Sequence, residues 1–113
     1  MQSGEKRLPV QFCALSSGAE PVHDWLLTFS KEDRAQIGED LSVIEFGWPI
    51  GMPTCRPMGG GIFEVRTHLR NRIVRILFCV HEGRMVLLHG FIKKTEKTPQ
   101  ADLDLAKDRM KRL

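Results

Sequence analysis

Ile73-Val74-Arg75-Ile76-Leu77-Phe78-Cys79-Val80 is apolar at every position but one. A strand of that composition is hydrophobic on both faces and belongs inside a sheet, not at its edge. Two more strand segments flank it in the chain. Ile62–Leu69 alternates between apolar and polar residues, and Met85–Ile92 is again largely apolar. His81-Glu82-Gly83 supplies the tight turn before the last strand. The single interruption, Arg75, must reach a carboxylate or face a site, because an unpaired buried guanidinium is very costly.

The rest of the chain supplies elements to cover such a sheet. Leu8–Leu15 reads as a first strand, which Pro9 limits to an edge or a strand start. Pro21 suits the first turn of a helix through Val22, Trp25 and Leu26. Ser30-Lys31-Glu32-Asp33 resembles a capping box and starts a second helix, in which Ile37, Leu41 and Ile44 form an apolar stripe. Gly47 is placed to stop it. With only a few residues between them, the two helices are expected to form an antiparallel hairpin. Residues 47–61 are rich in Gly and Pro and are read as neither helix nor central strand. A last helix is expected from Thr98 as N-cap and Pro99 at its first position, with Leu103, Ala106, Met110 and Leu113 toward the sheet. The expected order is β-α-α-β-β-β-α, an α+β fold forming one domain over residues 1–113, with 1–7 disordered.

No apolar run approaches the ~20 residues that cross a bilayer, and the first residues lack the apolar core of a signal peptide. A cytoplasmic protein with no membrane association is expected. Its three cysteines are far apart and form no C-x-x-C pair, which argues for reduced thiols and against a zinc knuckle. The charge is unevenly spread. Residues 1–45 hold four Lys/Arg against eight Asp/Glu, and residues 46–113 hold thirteen against six. Such clustering suits an anionic partner, nucleic acid above all, or else a solvated basic surface.

Strand alternation places Glu64, Arg66 and His68 on one face and Phe63, Val65 and Leu69 on the other. Glu64 is the obvious carboxylate for Arg75. Three lysines, Lys93, Lys94 and Lys97, follow the last strand. Cleavage of RNA by its own 2′-hydroxyl builds negative charge on the phosphate oxygens, and fixed Arg and Lys groups stabilise that charge without a metal. Arg66, Arg75, His89, Lys93, Lys94 and Lys97 are therefore the catalytic candidates, with Arg56, Arg70 and Arg72 as RNA contacts. By period-two alternation His89 shares a face with Met85, Leu87 and Phe91, so a core role competes with an acid–base one. His68 precedes an arginine-rich turn and ranks below it. No histidine or carboxylate pair has metal-ligand spacing, and no nucleotide fingerprint is present, so no metal or cofactor is expected.

Five segments carry a family resemblance: Glu20–Leu27, Gly47-Trp48-Pro49-Ile50-Gly51-Met52-Pro53, Gly61–Arg66, Arg72–Phe78 and, most specific, His89-Gly90-Phe91-Ile92-Lys93-Lys94-Thr95-Glu96-Lys97-Thr98-Pro99. From Leu8 onward the chain resembles the phage-derived, HigB-like branch of the RelE/ParE toxins of type II toxin–antitoxin systems. The resemblance implies a toxin that cuts mRNA in the ribosomal A site and inhibits translation. It also implies an antitoxin partner, a small helix-turn-helix protein encoded next door. Two N-terminal helices against a mostly antiparallel sheet, then a C-terminal helix, is the fold it implies. By position, Arg66 and Arg75 match basic strand residues of the family, and Lys93, Lys94 and Lys97 match its terminal basic cluster. The chain departs in one respect: relatives use a tyrosine near the C-terminus, and this sequence has no tyrosine. The base is then His89 or a lysine, or catalysis rests on positioning and charge. Some members poison DNA gyrase instead, so a non-enzymatic gyrase inhibitor and a nucleic-acid-binding module without catalysis are the alternatives.

Overall fold

The computed structural model describes residues 4–113. Five strands and three helices follow one another: β1 (Val10–Phe12), α1 (Pro21–Leu26), α2 (Lys31–Gly47), β2 (Cys55–Gly59), β3 (Ile62–His68), β4 (Ile73–His81), β5 (Arg84–Ile92) and α3 (Gln100–Lys111). The sheet runs β1-β5-β4-β3-β2, with β1 parallel to β5 and every other pair antiparallel. The fold is α+β with a mixed sheet. The apolar β4 lies at its centre, where hydrocarbon on both faces is covered.

β2 is absent from the expected order. Its proline and glycines read as loop, but β2 is an edge strand, where Pro57 sits without disrupting an interior ladder. The register slips between Pro57 and Gly59. Glu82 and Gly83 both adopt positive φ (50° and 74°) between the paired residues His81 and Arg84. That is the two-residue turn whose twist matches antiparallel strands.

Ser30 caps α2 as expected, its Oγ accepting from the Asp33 amide at 3.1 Å. Each N-terminal helix finds its principal partner in the sheet, not in the other helix: α1 lies on β5 and β1, and α2 on β3. Val22, Ile37, Leu41 and Ile44 close one face of the sheet over Val65, Val74, Ile76, Phe78, Met85 and Leu87. On the opposite face Ala106, Leu103 and Met110 of α3 cover Ile62, Leu77, Cys79, Val86 and Leu88. Leu113 departs from the expected stripe and is 40% exposed, beyond the end of the helix.

Residues 1–3, part of the segment expected to be disordered, lie outside the described residues. Lys6 and Arg7 are anchored: the Lys6 ammonium is 3.2 Å from the buried Glu45 carboxylate, and the Arg7 amide donates to the Glu45 carbonyl. The same carboxylate accepts from the Val10 amide at 2.7 Å, which fixes the entry into β1.

Candidate functional site

The face under α3 holds a buried ionic cluster. Arg66 on β3 stands opposite Arg75 on β4, and Arg56 on β2 stands opposite Glu64. Like charges directly across a ladder repel, and Glu64, two residues before Arg66 on the same face, relieves that repulsion. Its Oε1 accepts from Arg66 Nε at 2.9 Å. Its Oε2 accepts from the Thr98 hydroxyl at 2.6 Å and lies 3.9 Å from Arg75 Nη1. Both the Glu64 and Arg75 side chains are fully buried.

Arg75 directs its guanidinium at the segment between β5 and α3. It donates to the Thr98 hydroxyl at 3.2 Å, the Thr95 carbonyl at 3.2 Å and the Glu96 carbonyl at 2.9 Å. Burial lowers the pKa of this guanidinium, Glu64 raises it, and the nearby Arg66 lowers it again. An arginine nonetheless keeps its charge in a protein. Arg75 meets no solvent, so it stands behind the site and holds the loop that borders it.

Thr98 is not the N-cap of α3. Pro99 occupies that position without a side-chain cap bond, because the Thr98 hydroxyl is engaged by Glu64 and Arg75.

The outward-facing cations divide into two groups. Arg56, Arg66 and Lys97 line a recess of about 470 Å³, with Met58, Glu96 and Thr98 as its other walls. Among the described residues neither Arg56 nor Lys97 has a carboxylate partner. Arg70, Arg72 and Lys93 line a separate, shallower hollow at the β3–β4 turn. There Arg72 pairs with Asp33 at 3.5 Å and lies over the Phe29 ring, while Lys93 pairs with Glu96 at 3.4 Å. Lys94 is exposed and lines neither. The terminal lysines are therefore split between sites, and Lys97 is the one beside Arg66.

His89 is not on the face expected. A bulge between Leu77 and Phe78 in the β4–β5 ladder leaves Leu88 without a partner and shifts the alternation. Met85 and Leu87 face α1 and α2, whereas His89 and Phe91 turn toward α3. There His89 Nε2 lies 2.6 Å from Asp102 Oδ1 and its ring stacks on Phe91. It lines neither cationic recess. His68, ranked below it from sequence, is exposed and shares a neighbouring recess with both Arg56 and Arg66. Glu64 and Thr98 are the organising residues that sequence reasoning underrated. The Glu64-x-Arg66 spacing was the available signal.

The family profile described as phage-derived protein Gp49-like matches residues 24–111. Two curated relatives, each named probable endoribonuclease HigB1, come from Mycobacterium tuberculosis strains CDC 1551 / Oshkosh and ATCC 25618 / H37Rv. Each is 38% identical over 56 residues, which is 50% of this chain and 45% of the relative. The chain thus spans about half the length of the relatives it matches. The family match takes in α2, α3, every strand of the cationic face and both cationic recesses, and on that basis the chain belongs to the phage-derived Gp49-like family and is HigB-like over the half it shares with these two proteins.

Proposed function

We propose that this protein is the toxin of a type II toxin–antitoxin pair and acts as a ribosome-dependent, metal-independent mRNA endonuclease in a RelE-like fold. The carrying observation is the recess in which Arg56, Arg66 and Lys97 converge while Glu64 and Arg75 hold the frame from behind. A scissile phosphate fits there with its non-bridging oxygens on the two guanidiniums, Arg66 fixed by Glu64 and Arg56 across from it. Attack of the 2′-hydroxyl forms the cyclic phosphate and breaks the bond to the 5′-oxygen. Lys97 is placed to stabilise the charge on that leaving oxygen. His68, on the same strand face as Arg66 and open to solvent, takes the hydroxyl proton in place of the missing tyrosine. Arg75 acts as a positioning residue, and Arg70, Arg72, Lys93 and Lys94 supply contacts to ribosomal RNA or to the antitoxin. The expected antitoxin is a small helix-turn-helix protein with an acidic segment suited to the basic half of the chain. Cytoplasmic action follows from the ribosomal target, and no helix among the described residues is long and apolar enough to cross a membrane.

Primer extension on mRNA from induced cells tests the reading: cuts within A-site codons are expected. Intact transcripts during growth arrest would overturn it, and inhibition of supercoiling by the purified protein would then point to gyrase. In a single-turnover assay on ribosomes, His68→Gln is expected to lower the cleavage rate roughly 100-fold while ribosome binding is kept.

A further inference from the structure

β2 pairs with β3 only as far as Cys55 opposite Val65, so Arg66–His68 has β4 on one side and no strand on the other. The gap is a notch of about 460 Å³ at the sheet edge, within the ~300–1,000 Å³ usual for small-ligand sites. Val43 of α2 and Met52 of the loop from α2 to β2 form its apolar wall, with Pro53 beside them. Both are more exposed than large apolar residues usually are, 45% for Val43 and 66% for Met52, and none of the described residues covers them. Asp40, Thr54, His68 and the Glu64 carboxylate, which is already engaged by Arg66 and Thr98, are the polar groups of the notch besides its arginines. The Asp40 carboxylate is half-buried and has no hydrogen-bond or ion-pair partner among the described residues. Arg56 and Arg66 form the far rim, and these two arginines also line the phosphate recess.

A cationic recess and an apolar notch that share two arginines match the layout of one nucleotide, with phosphate on one side of the guanidiniums and base on the other. Single-stranded RNA is bound in that way, its backbone on cations and its unstacked bases against apolar or aromatic side chains, with polar groups reading their edges. We infer that the notch is a nucleobase subsite for the nucleotide next to the scissile phosphate, and that it selects bases carrying an exocyclic amino group. A carboxylate only accepts hydrogen bonds, so Asp40 suits the amino hydrogens of adenine, cytosine or guanine. Uracil would present it with carbonyl oxygens on either side of a single N–H. Met52 and Val43 supply the face on which the ring lies, and Thr54 can donate or accept at its edge. This inference rests on the nuclease reading for its substrate, but its binding step is measured separately.

The test is a titration of the purified full chain with nucleoside monophosphates, followed through the ¹³C-methyl signal of Met52. AMP and CMP are expected to shift that signal saturably at millimolar concentration, UMP more weakly, and ribose 5-phosphate not at all. Asp40→Asn should weaken AMP roughly tenfold and leave UMP unchanged, which removes the preference. Asp40 lies outside the core, so folding of Asp40→Asn is expected to survive. Equal shifts with ribose 5-phosphate and AMP, no shift with any nucleotide, or an AMP-to-UMP ratio unaltered in Asp40→Asn would each overturn the subsite. On ribosomes, Asp40→Asn should redistribute cut sites toward codons with uracil. If transcripts remain intact while the AMP preference and its loss in Asp40→Asn are seen, the subsite stands and the nuclease reading fails. If transcripts are cut with an unchanged site distribution in Asp40→Asn, the nuclease stands and the subsite fails.

Discussion

The two faces of the central sheet are built on opposite principles. Under α1 and α2 the interior is closed by hydrocarbon, with Ile37, Leu41 and Ile44 against Val65, Ile76 and Leu87. Under α3 the same strands carry an ionic cluster of Glu64, Arg66, Arg75 and Thr98, and beside it the His89–Asp102 pair. Burying ion pairs rarely stabilises a fold more than hydrocarbon of the same volume would. The cluster does something hydrocarbon cannot: it presents Arg66 at a fixed place and ties Thr95, Glu96 and Thr98 down so that Lys97 lies beside it. One face holds the protein together, and the other positions cations.

The largest effect that would break this comparison is at Glu64. Removing it in Glu64→Ala leaves Arg75 buried without a carboxylate and is expected to cost about 3–5 kcal/mol in urea unfolding. A small loss would mean that the cluster is wetter than the burial of Arg75 implies. Arg66→Ala separates function from fold. It leaves Glu64 Oε1 without its partner while Oε2 keeps Thr98 and Arg75, so it should cost about 1–3 kcal/mol, less than Glu64→Ala, while ribosomal cleavage per folded molecule falls roughly 100- to 1,000-fold.

The apolar face is probed at Gly90, where a Cβ would lie 2.3 Å from the Trp25 ring. Gly90→Ala is expected to cost about 1–3 kcal/mol by overpacking, with activity per folded molecule unchanged. Thr98→Val leaves one donor and one acceptor of the cluster unmatched. It should cost about 1–3 kcal/mol and also slow cleavage, because the Lys97 segment is loosened. A stability loss with no change in rate would place Lys97 outside the reaction.

The smallest effect concerns two thiols, one on each face. Burial pushes Cys55 and Cys79 up to about 11 from an ordinary 9.0. A thiol kept neutral in the fold and free to ionise in the unfolded chain stabilises the fold below pH 9. That contribution is lost as pH rises from 9 toward 11. Unfolding midpoints should therefore be unaffected by these thiols up to pH 9 and fall above it. Cys55→Ala and Cys79→Ala should flatten the fall equally if both faces are equally dry.

Local pattern made much of this architecture legible. The apolar run of β4, broken only by Arg75, announced a central strand, the 4,3 spacing of Ile37, Leu41 and Ile44 announced a buried helix face, and Ser30 announced its start. Elsewhere local pattern misled for identifiable reasons. Pro57 and Gly59 concealed an edge strand, since their penalties apply to interior ladders. One unpaired residue, Leu88, moved His89 from one side of the sheet to the other. Thr98 had the sequence of a helix cap, but a buried carboxylate from β3 took its hydroxyl.

The sequence by itself determined which residues must be buried and that its cations would gather in the second half, because hydrophobic periodicity and charge are properties of neighbours along the chain. Only the tertiary structure decided which cations share a site. Arg66 and Lys97 meet while Lys93 joins Arg70 and Arg72, and Arg75 lies enclosed behind the site. That sorting depends on strand register, on a one-residue bulge and on which carboxylate reaches which guanidinium, and each of these is an interaction between residues far apart in sequence.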